Sequence, residues 1–309
     1  MAGRRNAPRP ANRRNLCADV FVLIDVAQLV LNGVMAGAIL AAPAIGLTAI
    51  YAVLRFPNFA VASHATIGAF AGYCANVWLG LALLPAAVIA FIVAGIVGVV
   101  SDTVVLRPLR PAGLITTTIA SVALTIALEN VVRLGFGNSL RNFDLPITRD
   151  WRFGGLRVGP QQLEDLAISA VIVGALFALL TFTRLGKAMR AVADNPTLAA
   201  IKGIDTDQIA AVVNFVAMGL AGLGGMLLGL DTSIDPLTGF RAILAIFAAA
   251  VVGGLGSIPG AVVGALTVGV AEELSQLVLP ADYRTVVGFV AILLVLSFRP
   301  RGILGVRAY

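Results

Sequence analysis

The chain has 309 residues, of which 59% are hydrophobic and only 12% charged, with a mean hydropathy of +0.96. Ordinary soluble domains carry about 25% charged residues, and no soluble fold of this size hides so much apolar surface, so the chain is a polytopic membrane protein. The formal net charge of +6 is not a nucleic-acid signal, because the basic residues sit in short loops and at the termini, where they fix membrane orientation, with no interleaved aromatic stripe.

Residues 1–28 read as a basic N-terminal tail and a lead-in helix, with five arginines in the first fourteen positions (Arg4, Arg5, Arg9, Arg13, Arg14). Asp19 and Asp25 interrupt the apolar run that follows, which argues against a cleaved signal peptide. Leu16–Val30 reads either as a short interfacial helix or as the lead-in to the first span. Residues 29–309 form the membrane domain. Its apolar segments fall near Leu29–Leu54, Ala60–Leu79, Leu83–Leu106, Leu114–Phe136, Leu163–Phe182, Ile209–Leu230, Ile243–Leu255, Ala261–Leu279 and Val286–Phe298. The fold class expected is an all-α transmembrane bundle of about 8–9 spans, with one more if the lead-in itself crosses. Ile243–Leu255 is short and glycine-ended, which predicts a re-entrant or broken helix buried in protein.

Arginine sets the orientation. Arg107–Arg110, the segment from Arg184 to Lys202, and Arg299, Arg301 and Arg307 belong on the cytoplasmic side. The long loop from Gly137 to Gln162 is expected outside. Counting crossings back puts Arg55 inside and the chain start outside, against the five N-terminal arginines. Glycines recur four apart at Gly33/Gly37, Gly68/Gly72, Gly225/Gly229 and Gly260/Gly264, a spacing that lets membrane helices approach closely.

Hydrolytic and redox chemistry find no purchase. A single histidine excludes a two-histidine metal site and any HExxH motif, and Cys17 and Cys74 have neither metal spacing nor the context for a disulfide, so no metal site is expected. Gly186–Lys187 is followed by Ala188 rather than Ser or Thr, and no P-loop occurs, so no cofactor is expected on this chain, and if transport is driven by ATP another subunit has to bind it. His64 lies in an apolar stretch just after Pro57 and Asn58. It reads either as a histidine bonded to neighbouring backbone, or, with Asn58, Ser63 and Thr66, as part of a translocation path. Glu129 with Arg133, and Asp102 with Arg107, read as structural pairs, and Glu272 and Glu273 as solvated groups ending a span near the outer face.

One island of charge stands between two long apolar segments, from Arg184 to Ile204. Arg184, Lys187 and Arg190 crowd its first turns, while Leu185, Ala188, Met189 and Val192 recur at helical spacing. Asp194 or Asn195 can cap a second short helix that starts at Pro196, and Lys202–Gly203 closes it. A helix, a break and a helix make a docking surface rather than a simple joint.

Four blocks then carry a resemblance, covering nearly everything after residue 28. They are Leu31-Asn32-Gly33 through Gly46-Leu47-Thr48 to Arg55-Phe56-Pro57-Asn58-Phe59-Ala60, then Leu106-Arg107-Pro108-Leu109-Arg110, then Gly186-Lys187-Ala188-Met189-Arg190-Ala191 to Lys202-Gly203-Ile204. The last is Gly253-Gly254-Leu255-Gly256-Ser257-Ile258-Pro259-Gly260 with the ending Arg299-Pro300-Arg301-Gly302-Ile303-Leu304-Gly305. In this combination and order the chain resembles the Liv-type inner-membrane permeases of bacterial ABC importers for branched-chain amino acids. The resemblance implies a permease that pairs with a second homologous permease chain in the lipid bilayer of the bacterial inner membrane. It also implies two cytoplasmic ATPase subunits that bind ATP and Mg, and an external solute-binding protein. It makes the segment 184–204 the coupling loop, with Arg184, Gly186, Lys187, Arg190, Ala191, Asn195, Pro196 and Gly203 as its working residues. Where the family has His-Gly and an acidic residue after Phe59–Ala60, this chain has Val61-Ala62-Ser63 with His64 displaced. The cargo therefore stays open between branched-chain or related amino acids and another small solute (an amide, urea, an aromatic or small carboxylate, a sugar). A stand-alone ion-coupled carrier is the rival mechanism.

Overall fold

A computed structural model describes residues 12–145, 149, 151–153, 156–280, 283–299 and 302–305. Residues 1–11, Pro300, Arg301 and Arg307, and the side chain of Cys17, on which some of the expectations above fall, lie outside the described residues.

Apolar sequence in long uninterrupted stretches gives helices. They are α1 (Asn12–Leu54), α2 (Val61–Tyr73), α3 (Leu83–Ser101), the single turn α4 (Arg107–Leu109), α5 (Leu114–Phe136), α6 (Pro160–Phe182), α7 (Arg184–Asp194), α8 (Pro196–Ile201), α9 (Thr206–Asp231), α10 (Thr238–Gly253), α11 (Ile258–Ser275) and α12 (Arg284–Phe298). Six of these are long and apolar enough to cross a membrane, counting α1 from Ile24 and α3 through to Ala112; α10 and part of α12 are shorter apolar helices. Helix α2 has 13 residues and is prolonged by a five-residue π turn, Cys74–Trp78. Counting these three shorter helices, the total is approximately consistent with the expected 8–9 spans, and the all-α class holds. Among the described residues the one regular exception is a small antiparallel hairpin of β1 (Trp151–Phe153) and β2 (Leu156–Val158).

The lead-in and the first span are one helix. At 43 residues α1 is about 65 Å long, roughly twice the hydrocarbon thickness, and it continues through Pro43. Helix α9 packs on α1, α2 and α3, and α1 packs on α9 and α11, so α1 and α9 form the centre of the bundle. Small residues make this possible. A Cβ at Gly68 would lie 2.1 Å from Gly222 Cα, and one at Gly37 2.7 Å from the Ala265 carbonyl oxygen. Six of the eight predicted glycines, Gly33, Gly37, Gly68, Gly225, Gly260 and Gly264, thus seat backbone against backbone, while Gly72 and Gly229 make room for the side chains of Met226 and Ile234. Outside this centre, α3, α5, α6 and α12 present exposed apolar side chains such as Ile96, Ile119, Val171 and Leu293, the surface a bilayer or another membrane chain covers.

Helix α10 is continuous over 16 residues, lies against α1, α2, α11 and α12, and ends at Gly254 with φ +108°. The backbone irregularities sit elsewhere, in the π turns Cys74–Trp78 and Asp102–Leu106.

Three expectations about charge change. Glu272 and Glu273, read as solvated, are buried, with 4% and 8% of their surface exposed. They occupy the inner face of α11, which in an apolar helix carries no sequence mark distinguishing it from the outer one. Asp102 pairs with Arg110, whose Nη2 reaches both carboxylate oxygens at 2.6 Å, and Arg107 pairs instead with Asp207 at the start of α9. The π turn Asp102–Leu106 between them alters the rotation per residue and brings Arg110 round to Asp102. Glu129 is buried with Oε1 lacking a hydrogen-bond partner, as is Arg133 Nε, so the expected α5 pair is not closed by these atoms.

Candidate functional site: the coupling segment and the adjoining turn

The charged island folds as two capped helices between α6 and α9. Thr183, in extended conformation, accepts a hydrogen bond from the Gly186 amide at 3.2 Å and so starts α7. Gly186 is where α7 folds back on the end of α6: a Cβ there would lie 2.1 Å from the Leu180 carbonyl oxygen. Met189 and Val192 are buried, Leu185, Ala188 and Ala191 half-buried, and Arg184, Lys187 and Arg190 exposed. The apolar stripe of α7 therefore packs against α1, α6 and α9, and its basic stripe faces outward.

Asn195 ends α7 and opens α8 by accepting from the Leu198 amide at 3.0 Å, with Pro196 in the first turn, where its missing N–H leaves nothing unpaired. Gly203 takes φ +83° and the Ile204 amide returns to the Ala199 carbonyl, closing the segment. Asn195, Pro196 and Gly203 are all exposed. Two apolar side chains that the sequence reading left out, Leu198 and Ile201, are 53% and 76% exposed on α8. The outward face thus combines three cations with two uncovered aliphatic groups, a composition suited to seating in a protein cleft rather than in water.

The end of the bundle that carries Arg55 and Arg107 is tied to this segment. The Arg55 guanidinium donates to the Ala193 carbonyl in the last turn of α7, and Arg107 pairs with Asp207 just beyond α8. The end of α1 therefore lies with α7, and Asn12, where α1 begins, lies at the far end of that helix.

The four residues read as candidates for a path lie together at the start of α2 and are fully buried. Ser63 Oγ donates to the Ala60 carbonyl at 2.9 Å. His64 Nδ1 is 2.7 Å from the same oxygen, and its Nε2 3.3 Å from Ser101 Oγ on α3. Thr66 Oγ1 accepts from the Gly239 amide on α10 at 3.0 Å. Asn58 Oδ1 accepts from the Ala60 amide at 3.0 Å, while its Nδ2 is buried without a partner. These contacts join α2 to α3 and α10.

At the opposite end a cavity of about 120 Å³ is lined by Asn32 and Met35 of α1, Gln162 and Asp165 of α6, Asp231 of α9 and Glu273 of α11. Sequence reading passed over Asp165. Its signal was available, as the second of two adjacent carboxylates, Glu164 and Asp165, early in an apolar helix.

Residues 29–296 match a family described as the permease component of the branched-chain amino acid transport system. The high-affinity branched-chain amino acid transport system permease protein LivH of Salmonella typhimurium is 34% identical over 294 residues, which is 90% of this chain and 95% of that protein. The Escherichia coli K12 LivH protein is equally similar, and BraD of Pseudomonas aeruginosa is 32% identical over 292 residues, with the same 90% and 95% coverage. Among solved structures, PsaBC from Streptococcus pneumoniae in complex with Fab contains a chain that is similar at 16% identity and a TM-score of 0.47, covering 92% of this chain and 97% of that one. With the family matched over most of its length, the chain is a multi-pass inner-membrane transport subunit and belongs to the family of branched-chain amino acid transport system permease components.

Proposed function

We propose that this chain is one of two homologous permeases of a binding-protein-dependent importer for branched-chain or related amino acids. An external binding protein delivers the solute, and two cytoplasmic subunits supply the drive by binding ATP with Mg. The observation that carries the reading is the α7–α8 segment, a capped helix pair whose cationic and aliphatic outer face has no cover among the described residues. Arg184, Lys187 and Arg190 meet the ATPase surface and Leu198 and Ile201 fill its cleft. Gly186 and Ala191 allow α7 to lie close on the bundle, while Asn195, Pro196 and Gly203 set the angle between the two helices. Closure of the ATPases on ATP pushes this pair, and the push reaches the spans through the buried stripe of α7.

Asn58, Ser63, His64 and Thr66 line the solute path in the state that opens at the start of α2. The unpartnered Asn58 Nδ2 supports this, because a buried donor without an acceptor is costly unless some state of the protein supplies one. A second reading of the cargo, another small solute on the same scaffold, is favoured by Val61-Ala62-Ser63 standing where the resembling family carries His-Gly and an acidic residue.

Arg190→Glu tests the coupling role. The variant is expected at wild-type abundance in the membrane, because Arg190 is exposed, but without uptake or solute-stimulated ATP hydrolysis. Reversing a charge at a seated interface costs several kcal/mol, about 2–5. Normal uptake by the variant would remove the coupling assignment.

A further inference from the structure

Among the described residues, Arg55 is the only non-glycine with positive φ, at +59°. A residue with a Cβ is disfavoured there and stays only where its surroundings hold it. Two bonds do so. The Arg55 amide donates to the Tyr51 carbonyl at 3.0 Å, finishing α1, and its Nη2 donates to the carbonyl of Ala193. That carbonyl lies in the last turn of α7, where helix carbonyls lack intrahelical partners and the dipole is negative, so a guanidinium is well matched to it.

The residues that follow fan out from this point. The Phe59 amide donates to Ser121 Oγ on α5 at 3.1 Å, and the Phe59 ring stacks on Phe247 of α10 with centroids 4.6 Å apart. The Ala60 carbonyl receives Ser63 and His64 at the start of α2. Six residues therefore touch the coupling helix at one end and α2, α5 and α10 at the other. The other contacts of α7 with the bundle are its apolar stripe and Gly186 against the backbone of Leu180, which bear a push on α1, α6 and α9 but, among the described residues, make no hydrogen bond to α2, α5 or α10. The Arg55 link is directional.

We propose that the Arg55–Ala60 turn is the relay that passes movement of α7 to α2, α5 and α10, with Arg55 as the positioning residue that fastens the turn to the coupling helix. The proposal rests on the importer reading above. A shift of α7 pulls the Ala193 carbonyl, and with it Arg55 and the α1–α2 junction, rather than sliding past them. The strained φ is maintained by this fastening.

Arg55→Gly isolates the link from the backbone shape, because glycine adopts φ +59° without penalty while losing the guanidinium. The experiment uses the whole transporter with its partner subunits in proteoliposomes, measuring assembly, ATP hydrolysis and uptake of leucine. Arg55→Gly is expected to assemble and hydrolyse ATP as the wild type does, yet to take up solute at least about tenfold more slowly. Arg55→Lys, which keeps one donor on a long stem, is expected to recover part of the uptake. Wild-type uptake by Arg55→Gly overturns the relay, and so does a variant that has lost its ATPases, since the residue then serves assembly. A wild-type complex lacking ATP-dependent uptake overturns the importer reading and the relay with it.

Discussion

At the residue scale, the centre of the bundle depends on side chains that are missing. A Cβ at Gly68 meets the Cα, C and O atoms of Gly222 within 2.3 Å, and backbone cannot rotate away as a flexible side chain can. Gly68→Val is therefore expected to force α2 off α9 and to cost about 1–3 kcal/mol or more, read as a lower thermal midpoint and reduced yield of the purified transporter. Gly174 on α6 has nothing within 4 Å of its Cβ position. Gly174→Ala should leave the midpoint unchanged or raise it slightly, through helix propensity alone. Equal damage from both would mean that glycine content, rather than close contact, holds the helices. Spacing made the glycine pairs legible in the sequence. The partners of Asp102 and the burial of Glu272 and Glu273 were not, because they depend on which way an apolar helix is turned.

At the element scale, the α7–α8 pair was the most readable part of the chain. Its caps, Thr183 and Asn195, and its closing Gly203 are local devices, and its two faces differ in composition. Helices α3, α5 and α6 offer no such contrast, since lipid-facing and protein-facing residues are both aliphatic. That is also why the weight of Arg55 escaped notice: its acceptor is a backbone carbonyl 138 residues away. The β1–β2 hairpin shows a second long-range tie. Gln28 of α1 accepts from the Arg157 amide at 2.8 Å and donates to the Arg157 carbonyl at 2.9 Å, so one side-chain amide pairs with β2 as a neighbouring strand would. Gln28→Ala removes both bonds and is expected to loosen the hairpin by about 1–3 kcal/mol. The reading is faster hydrogen exchange at the Arg157 amide with no change in α9. Unchanged exchange would show that the hairpin is held by its other contacts.

At the scale of the whole molecule, α7–α8 marks one side of the membrane and the Gly137–Gln162 loop the other. The exposed apolar faces of α3, α5 and α12 lie between. Single cysteines at Lys202 and Ser139, both exposed positions, in a chain whose own Cys17 and Cys74 are replaced by serine, test this arrangement. A membrane-impermeant maleimide added outside intact cells is expected to label Ser139→Cys and to leave Lys202→Cys untouched until the membrane is opened. The reverse pattern would invert the orientation and remove α7–α8 from the side where ATPases dock.

The central claim is that the solute moves through this chain only when other subunits spend ATP. The most direct measurement is uptake of labelled leucine, isoleucine or valine into proteoliposomes containing the chain, its partner permease, the two ATPases and the external binding protein. The account predicts uptake that requires ATP, requires the binding protein and persists when a protonophore abolishes ion gradients. Uptake by this chain alone that collapses with the protonophore and ignores ATP would contradict it, and would make the protein an ion-coupled carrier.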